Sequence, residues 1–410
     1  GLQFDLTGNT ISTGANALTF NSGTDYITLN TLAGATATTT VGATISGTVT
    51  GAGAISLTGG LAAGLVANTL TLNGTSAGGW SGATTIGVGQ TLALAASSQA
   101  LLNTSGITLN GGGITLTNTT SAEGAIDRVS NSAVITSNGG TITYANTTNL
   151  TYAEIIGSVA LTSGALNILE NTAAGTGSQT LTLSGLTRTG ATNTSTVAFL
   201  AASTGPSATV NIIVNSGAAG ATAANTVIGP WATIGTAIAS QNDYAVYNAS
   251  KQVVGAGTLT TLPVSGATSA TAYQMSAAAS VTTSESVQVL KNTTAGNTLT
   301  ISSGQTLGTW GVLNTFAGTL NITGGTLTLP DTNAAPLFLI PGNGGGISIA
   351  SVIADNGAGA LTLVVTGGDK VTLSGTNTFT GGIVINSGTL IFDPTTTSAN
   401  GPLGAPANSI

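Results

Sequence analysis

The chain has 410 residues, of which 5 are Lys or Arg and 12 are Asp or Glu, giving a net charge of −7 with no His and no Cys. Charged residues make up 4%, against ~25% in ordinary globular domains, yet 41% of the chain is hydrophobic, so it lacks the low hydrophobicity that keeps a disordered chain unfolded. This balance argues against a nucleic-acid partner, whose phosphates demand clustered cations, against a disulfide-stapled fold and against zinc. Arg128, Arg188, Lys251, Lys291 and Lys370 are scattered singly, and no apolar run approaches the ~20 residues of a membrane-spanning helix. The predicted elements, in chain order, are short phrases that alternate an aliphatic residue with Thr or Ser and end on Gly or Asn. They include 54–58, 69–73, 106–110, 113–117, 140–144, 179–183, 297–301 and 359–363. Period-two alternation marks strands, and the Gly or Asn supplies the turn. No window carries a helical apolar stripe.

Asn-Gly pairs occur at Asn73, Asn110 and Asn138, but most neighbouring phrases are ten or more residues apart with another strand between them. That spacing fits a coil in which each turn of chain lays a strand on the turn before it, burying a thin aliphatic core and setting Thr, Ser and Asn outside. Residues 226–254 break the rhythm with Trp231, Tyr244, Tyr247, Asp243 and Lys251. They read either as a projecting ligand platform, since Trp231, Tyr244 and Tyr247 would stack on sugars, or as a hairpin sealing a break in the coil. The expected layout is solenoid rungs over 1–225, this irregular insertion over 226–254, and rungs again over 255–410.

One pattern recurs at fixed offsets: an aromatic, a Gly two residues on, an aliphatic six on and a Gly nine on. It is carried by Trp80, Gly82, Ile86 and Gly89; by Phe316, Gly318, Ile322 and Gly325; and by Phe379, Gly381, Ile385 and Gly388. Thr-Leu follows each, and the last copy lies in the run Val371–Leu390, with Asn377-Thr378-Phe379-Thr380-Gly381-Gly382 at its centre. This run closely resembles the passenger-associated transport repeat, also called the autotransporter-associated β-strand repeat. The resemblance implies an all-β, right-handed parallel β-helix on the surface of a Gram-negative-type bacterium. Residues 150–300 carry no firm copy of the repeat, and a separate β domain there stays open.

Catalysis finds little support. Asp5, Asp25, Glu154, Glu170, Glu285, Asp331, Asp355 and Asp393 stand apart in the sequence, whereas hydrolysis of sugars needs paired carboxylates. The densest groups, Glu123 with Asp127 and Arg128, and Asp369 beside Lys370, read as exposed turns. Gly367-Gly368-Asp369 is a single fragment of a calcium β-roll repeat, and Ser250-Lys251 are adjacent rather than facing. No catalytic residue, cofactor or metal is therefore expected. Asn-x-Ser/Thr triplets at Asn73, Asn103, Asn118, Asn146, Asn149, Asn193, Asn248, Asn292 and Asn321 are the candidate glycosylation sites.

The opening at Gly1 without a basic leader reads as a mature product or a piece of a longer chain, and no solenoid cap is visible at either end. The functional expectation is an extracellular structural segment of a surface fibre, filament or surface layer, self-associating end to end or laterally. An autotransporter-type adhesin stalk that meets carbohydrate or a host surface is the alternative, and a carbohydrate-active enzyme is disfavoured.

Overall fold

A computed structural model describes residues 2–4, 9–21, 23–30, 41–60, 67–74, 79–95, 98–120, 126–172, 177–203, 209–216, 225–392 and 401–408. Among these, every regular element is a strand, and almost all strand pairs are parallel. The chain divides into two compact units. The first comprises Gly1–Arg188, Leu200–Ala219 and Ser250–Gln252; the second comprises Thr189–Phe199, Gly220–Ala249 and Val253–Ile410.

In the first unit the alternating phrases stack in register. Ile27 lies on Leu57, Leu57 on Ile86 and Ile86 on Leu109, all buried. A second column runs Ile11, Ile45, Leu72, Leu94, Leu116, Tyr144, Glu170, one residue per coil. A third sheet joins Tyr152–Ile156, Ser178–Leu183 and Thr209–Val214. The intervening residues point outward and form hydroxyl columns such as Tyr26, Ser56, Thr85, Thr108, Thr136. Thr19 and Thr50 hydroxyls meet at 2.8 Å. The fold class expected from the sequence, a parallel all-β solenoid, is the one found.

The second unit uses the same logic with different columns. Tyr273, Leu290, Val312, Leu339, Val365 and Ile385 stack on one sheet. Leu299, Ile322, Ile349, Leu373 and Phe392 stack on the other. All these side chains join one aliphatic core except the last of each column. Ile385 and Phe392 are 43% and 42% exposed, because no described strand pairs beyond Ile383–Ile385 or Thr389–Phe392. Where the chain turns between the two sheets, Asn292 and Asn314 stand on each other, fully buried. Asn292 donates to Asn314 Oδ1 at 2.8 Å, and Asn314 donates to the Gly318 and Gly346 carbonyls at 2.8 and 2.9 Å. These amides hold backbone groups that the turns would otherwise leave unpaired in the interior.

The three repeat copies share offsets in sequence but not surroundings. Trp80 and Phe379 are buried, whereas Phe316 is 46% exposed on a turn. Ile86 and Ile322 point into the core, while Ile385 ends an open column. Gly89, Gly318 and Gly388 take the left-handed backbone that their turns need, but Gly325 does not, that role passing to Gly324. Close approach, rather than backbone freedom, explains Gly82 and Gly381: a Cβ would collide with the Gly53 carbonyl in one case and with the Leu361 backbone in the other. Trp80 Nε1 donates to that same Gly53 carbonyl at 3.1 Å, so the ring and the glycine together lock one coil onto the last.

Gly82→Ala should destabilise the first unit by about 1–3 kcal/mol, since the obstacle is backbone and cannot swing aside. Gly60→Ala, with nothing within 4 Å of its Cβ, is the control and should leave the urea midpoint unchanged.

Candidate functional site

Two places depart from the simple solenoid, one in each unit. In the second unit, strand residues that should face solvent are buried. Lys291, Leu313, Phe338, Ile340 and Val364 occupy outward positions yet are 0–3% exposed. Strands buried on both faces read as unbroken apolar runs, and Leu337-Phe338-Leu339-Ile340 is such a run.

The cover comes from the irregular insertion and the segment before it. Ala232–Ala237 and Ser240–Tyr247 form an antiparallel hairpin, extended by Val253–Gly255. Tyr244 OH donates to the Leu290 carbonyl at 3.5 Å, and the positions of Gly311, Gly342 and Gly368 bring the coils against Pro230, Gln241 and Ala239. Asn386 donates to the Thr194 carbonyl at 2.7 Å, and the Thr196 and Thr366 hydroxyls meet at 3.2 Å. Trp231, Tyr244 and Tyr247, offered above as a ligand platform, are 5%, 0% and 8% exposed. Buried to that degree they present no stacking face, and Tyr244 meets the apolar outward side of the coils beside Leu290 and Gly311. Burial, with nearby Asp243 adding to it, holds the Tyr244 hydroxyl well above its usual range.

Asp243 is the polar pin of the flank. Its Oδ1 accepts from the Tyr244 amide at 2.9 Å and from Lys291 Nζ at 2.8 Å, and its Oδ2 accepts from the Gly257 amide at 2.7 Å. Lys291 Nζ also donates to the Gly257 carbonyl. Both side chains are largely buried, so each charge depends on the other for solvation.

In the first unit, Arg128 overturns its reading as part of an exposed turn. It is fully buried, though Asp127 beside it is exposed, and Glu123 lies outside the described residues. Its guanidinium donates to Asn118 Oδ1 at 2.9 Å and to the Thr117 carbonyl at 3.0 Å. Its Nε sits 3.6 Å from Glu154 Oε2, and it stands 5.9 Å from the Tyr144 ring centroid. Glu154 Oε1 accepts the amides of Arg128 and Val129 at 2.9 and 3.1 Å. Burial pushes the Glu154 carboxyl up to about 7, opposed by the Arg128 charge and those two amides.

One coil on, Glu170 is fully buried and neither carboxyl oxygen has a hydrogen-bond partner in good geometry. Burial holds it well above the usual carboxylate range, with only partial relief from the Leu181 amide and the Gln179 side chain. Gln179 spends its Nε2 on the Tyr144 carbonyl at 2.6 Å. Sequence reading treated Glu154 and Glu170 as solitary acids. Their only sequence signal is an acid standing in an inward slot of the alternation, as in Asn167-Ile168-Leu169-Glu170.

Among the described residues no group of three or more acids, Cys or His could hold a metal ion. The buried charges that do meet are tied to backbone and to each other, an arrangement that positions chain. Asp369 Oδ1 accepts the Lys370 amide at 2.8 Å, a local turn contact. Asn118, Asn146 and Asn292 are buried, which removes them from the candidate glycosylation sites.

No family model matches the chain, and no solved structure matches it. A stretch of 106 residues, 25% of the chain, is 42% identical to part of the adhesin BmaC autotransporter of Brucella suis biovar 1 (strain 1330). The stretch spans 3% of that protein's length. Part of the chain is thus related to an autotransporter adhesin, a coarser relation than the repeat family read from residues 371–390.

Removing one partner of the Asp243–Lys291 pair should cost about 3–5 kcal/mol, because it strands the other charge in the interior. With Lys291→Met, amide exchange across 232–247 should accelerate while that of Leu299–Ile301 changes less. Equal acceleration everywhere would show that the pin serves the whole unit rather than the flank.

Proposed function

We propose that this chain is a solenoid section of a surface-exposed, autotransporter-type adhesin passenger of a Gram-negative bacterium, built from coils of the passenger-associated repeat type. The 42% identity to part of an autotransporter adhesin carries the reading. The parallel coils support it, since a stack of rungs holds parts of a long polypeptide at fixed separations. The outward Thr, Ser and Asn columns support it too, because they offer hydrogen-bonding groups to carbohydrate or to another uncharged surface without long-range charge repulsion. In this reading the chain performs no catalytic step. Glu154 and Asp243 fix turns, and the binding contacts come from the outward columns.

A second reading, a subunit of a fibre, filament or surface layer, draws on the nearly uncharged outward columns, which can pack against those of a second copy without charge repulsion. The two readings separate on the intact cell. Antibodies against the chain, imaged by electron microscopy on the native bacterium, should decorate single projections, and deleting the coding segment should lower attachment to host cells or matrix. A regular polymer with the chain as its repeat would establish the fibre instead, and labelling only after lysis would defeat both.

A further inference from the structure

The column Ile11, Ile45, Leu72, Leu94, Leu116, Tyr144, Glu170 places a carboxyl in a slot that aliphatic residues occupy on five coils. Glu170 is 0% exposed, and neither oxygen has a hydrogen bond of good geometry, the nearby Leu181 amide and Gln179 side chain giving only partial relief. A carboxylate in that slot would be a charge in an apolar column with no counter-ion, an arrangement that proteins avoid by binding a proton. Gln179 relieves a carboxylate there only in part, because its Nε2 also donates to the Tyr144 carbonyl. Glu154 stands on the neighbouring sheet, in register with Leu181 of the strand Ser178–Leu183, and is 1% exposed.

We propose that Glu170, together with Glu154, makes the coils spanning 134–183 tighten as the surroundings acidify and loosen as they turn alkaline. Among the described residues, the groups facing the pair are few. Tyr144 comes from Val134–Asn146, Gln179 and the Leu181 amide from Ser178–Leu183, and Arg128 and Asp127 from the turn before. Thr209–Val214 bears no titratable side chain, and Arg188, which burial lowers to about 10, lies on the strand paired with Leu161, nearer the start of Glu170's own strand. Only Arg128 carries a positive charge toward the pair, and it is committed to Glu154 and Asn118.

Both carboxyls are easier to protonate folded than unfolded. Each therefore contributes stability that is complete below its ordinary value of 4.5 and is lost as pH climbs through the folded value. For Glu154 that window runs from 4.5 to about 7; for Glu170 it starts at 4.5 and burial carries it well above that value. Within the window each pH unit weakens the folding equilibrium about tenfold per carboxyl.

The test uses the whole chain as wild type, Glu170→Gln and Glu170→Leu, the last restoring the residue found at 72, 94 and 116. Hydrogen exchange of peptides within 134–183 is read at pH 5 and pH 8, each variant against wild type at the same pH so that intrinsic exchange cancels. Either variant should be protected at least about tenfold more than wild type at pH 8, and the gap should shrink at pH 5. A wild-type-to-variant ratio that is equal at the two pH values, or larger at pH 5, would overturn the proposal. Should both variants fail to fold, wild type alone decides. After correction for intrinsic rates its protection must be greater at pH 5 than at pH 8, and an infrared band of a neutral carboxyl must persist at pH 6, above the ordinary carboxyl range. Absence of either sinks the idea.

Discussion

Parallel, in-register stacking of each coil on the one before is the constraint from which the rest of the structure follows. A parallel ladder sets every side chain directly over its partner one coil earlier, so residues far apart in sequence share one column and one environment. Slipping the register by a single residue would turn every inward side chain outward. Alternation of aliphatic and hydroxyl residues specifies that register on each strand, as the unbroken burial of Ile27, Leu57, Ile86 and Leu109 shows. The outward partners can then be almost uncharged, because the strands are held by their ladders and by the aliphatic column rather than by ion pairs.

The same constraint makes polar intrusions consequential. Asn292 over Asn314 is a benign one: each amide finds backbone or its neighbour, so little polar surface is left unpaired. The cluster around Arg128 and Glu154 is different in kind. Desolvating two charges costs several kcal/mol per ion, and a single contact at 3.6 Å does not by itself offset that. What the cluster adds is position. Glu154 captures two consecutive amides of the incoming turn, and Arg128 ties the same turn to carbonyls and an amide on earlier coils. A misplaced coil would leave these charges buried and unpaired, so the cluster discriminates against wrong registers where Tyr144 and Glu170 interrupt the aliphatic column.

The strands and their parallel stacking were legible in the sequence, because period-two alternation is local and the Gly-Asn punctuation is frequent. The repeat offsets around Trp80, Phe316 and Phe379 were legible as a pattern, but not their surroundings. Whether a ring is buried depends on what stacks beside it, as the exposed Phe316 shows. The run Leu337-Phe338-Leu339-Ile340 is apolar at inward and outward positions alike, and the cause lies about a hundred residues upstream in the hairpin that covers it. Arg128 and Glu154 are 26 residues apart, Lys291 and Asp243 are 48 apart, and neither pairing has a local signature. Such pairs become visible only once the coil lengths are known, and those vary from one rung to the next because the turns absorb the difference.

Topology also separates the two units in how their contacts can form. In the first, each strand needs only the strand one coil earlier, so order can extend rung by rung at small loop-closure cost. The flank of the second unit cannot be completed that way. Its hydrogen bonds join Thr196 to Thr366 and Asn386 to Thr194, separations of 170 and 192 residues. The fastening of Thr194 and Thr196 to the coils therefore forms only after the coils through 366 and 386 exist. Until then, outward Leu313, Phe338, Ile340 and Val364 form an exposed apolar sheet face of the kind that invites pairing with other chains. The early placement of the hairpin in the sequence answers this hazard. Its strands are already made when the coils they will cover emerge, and Asp243 waits within 48 residues of Lys291 on the first of the coils it covers.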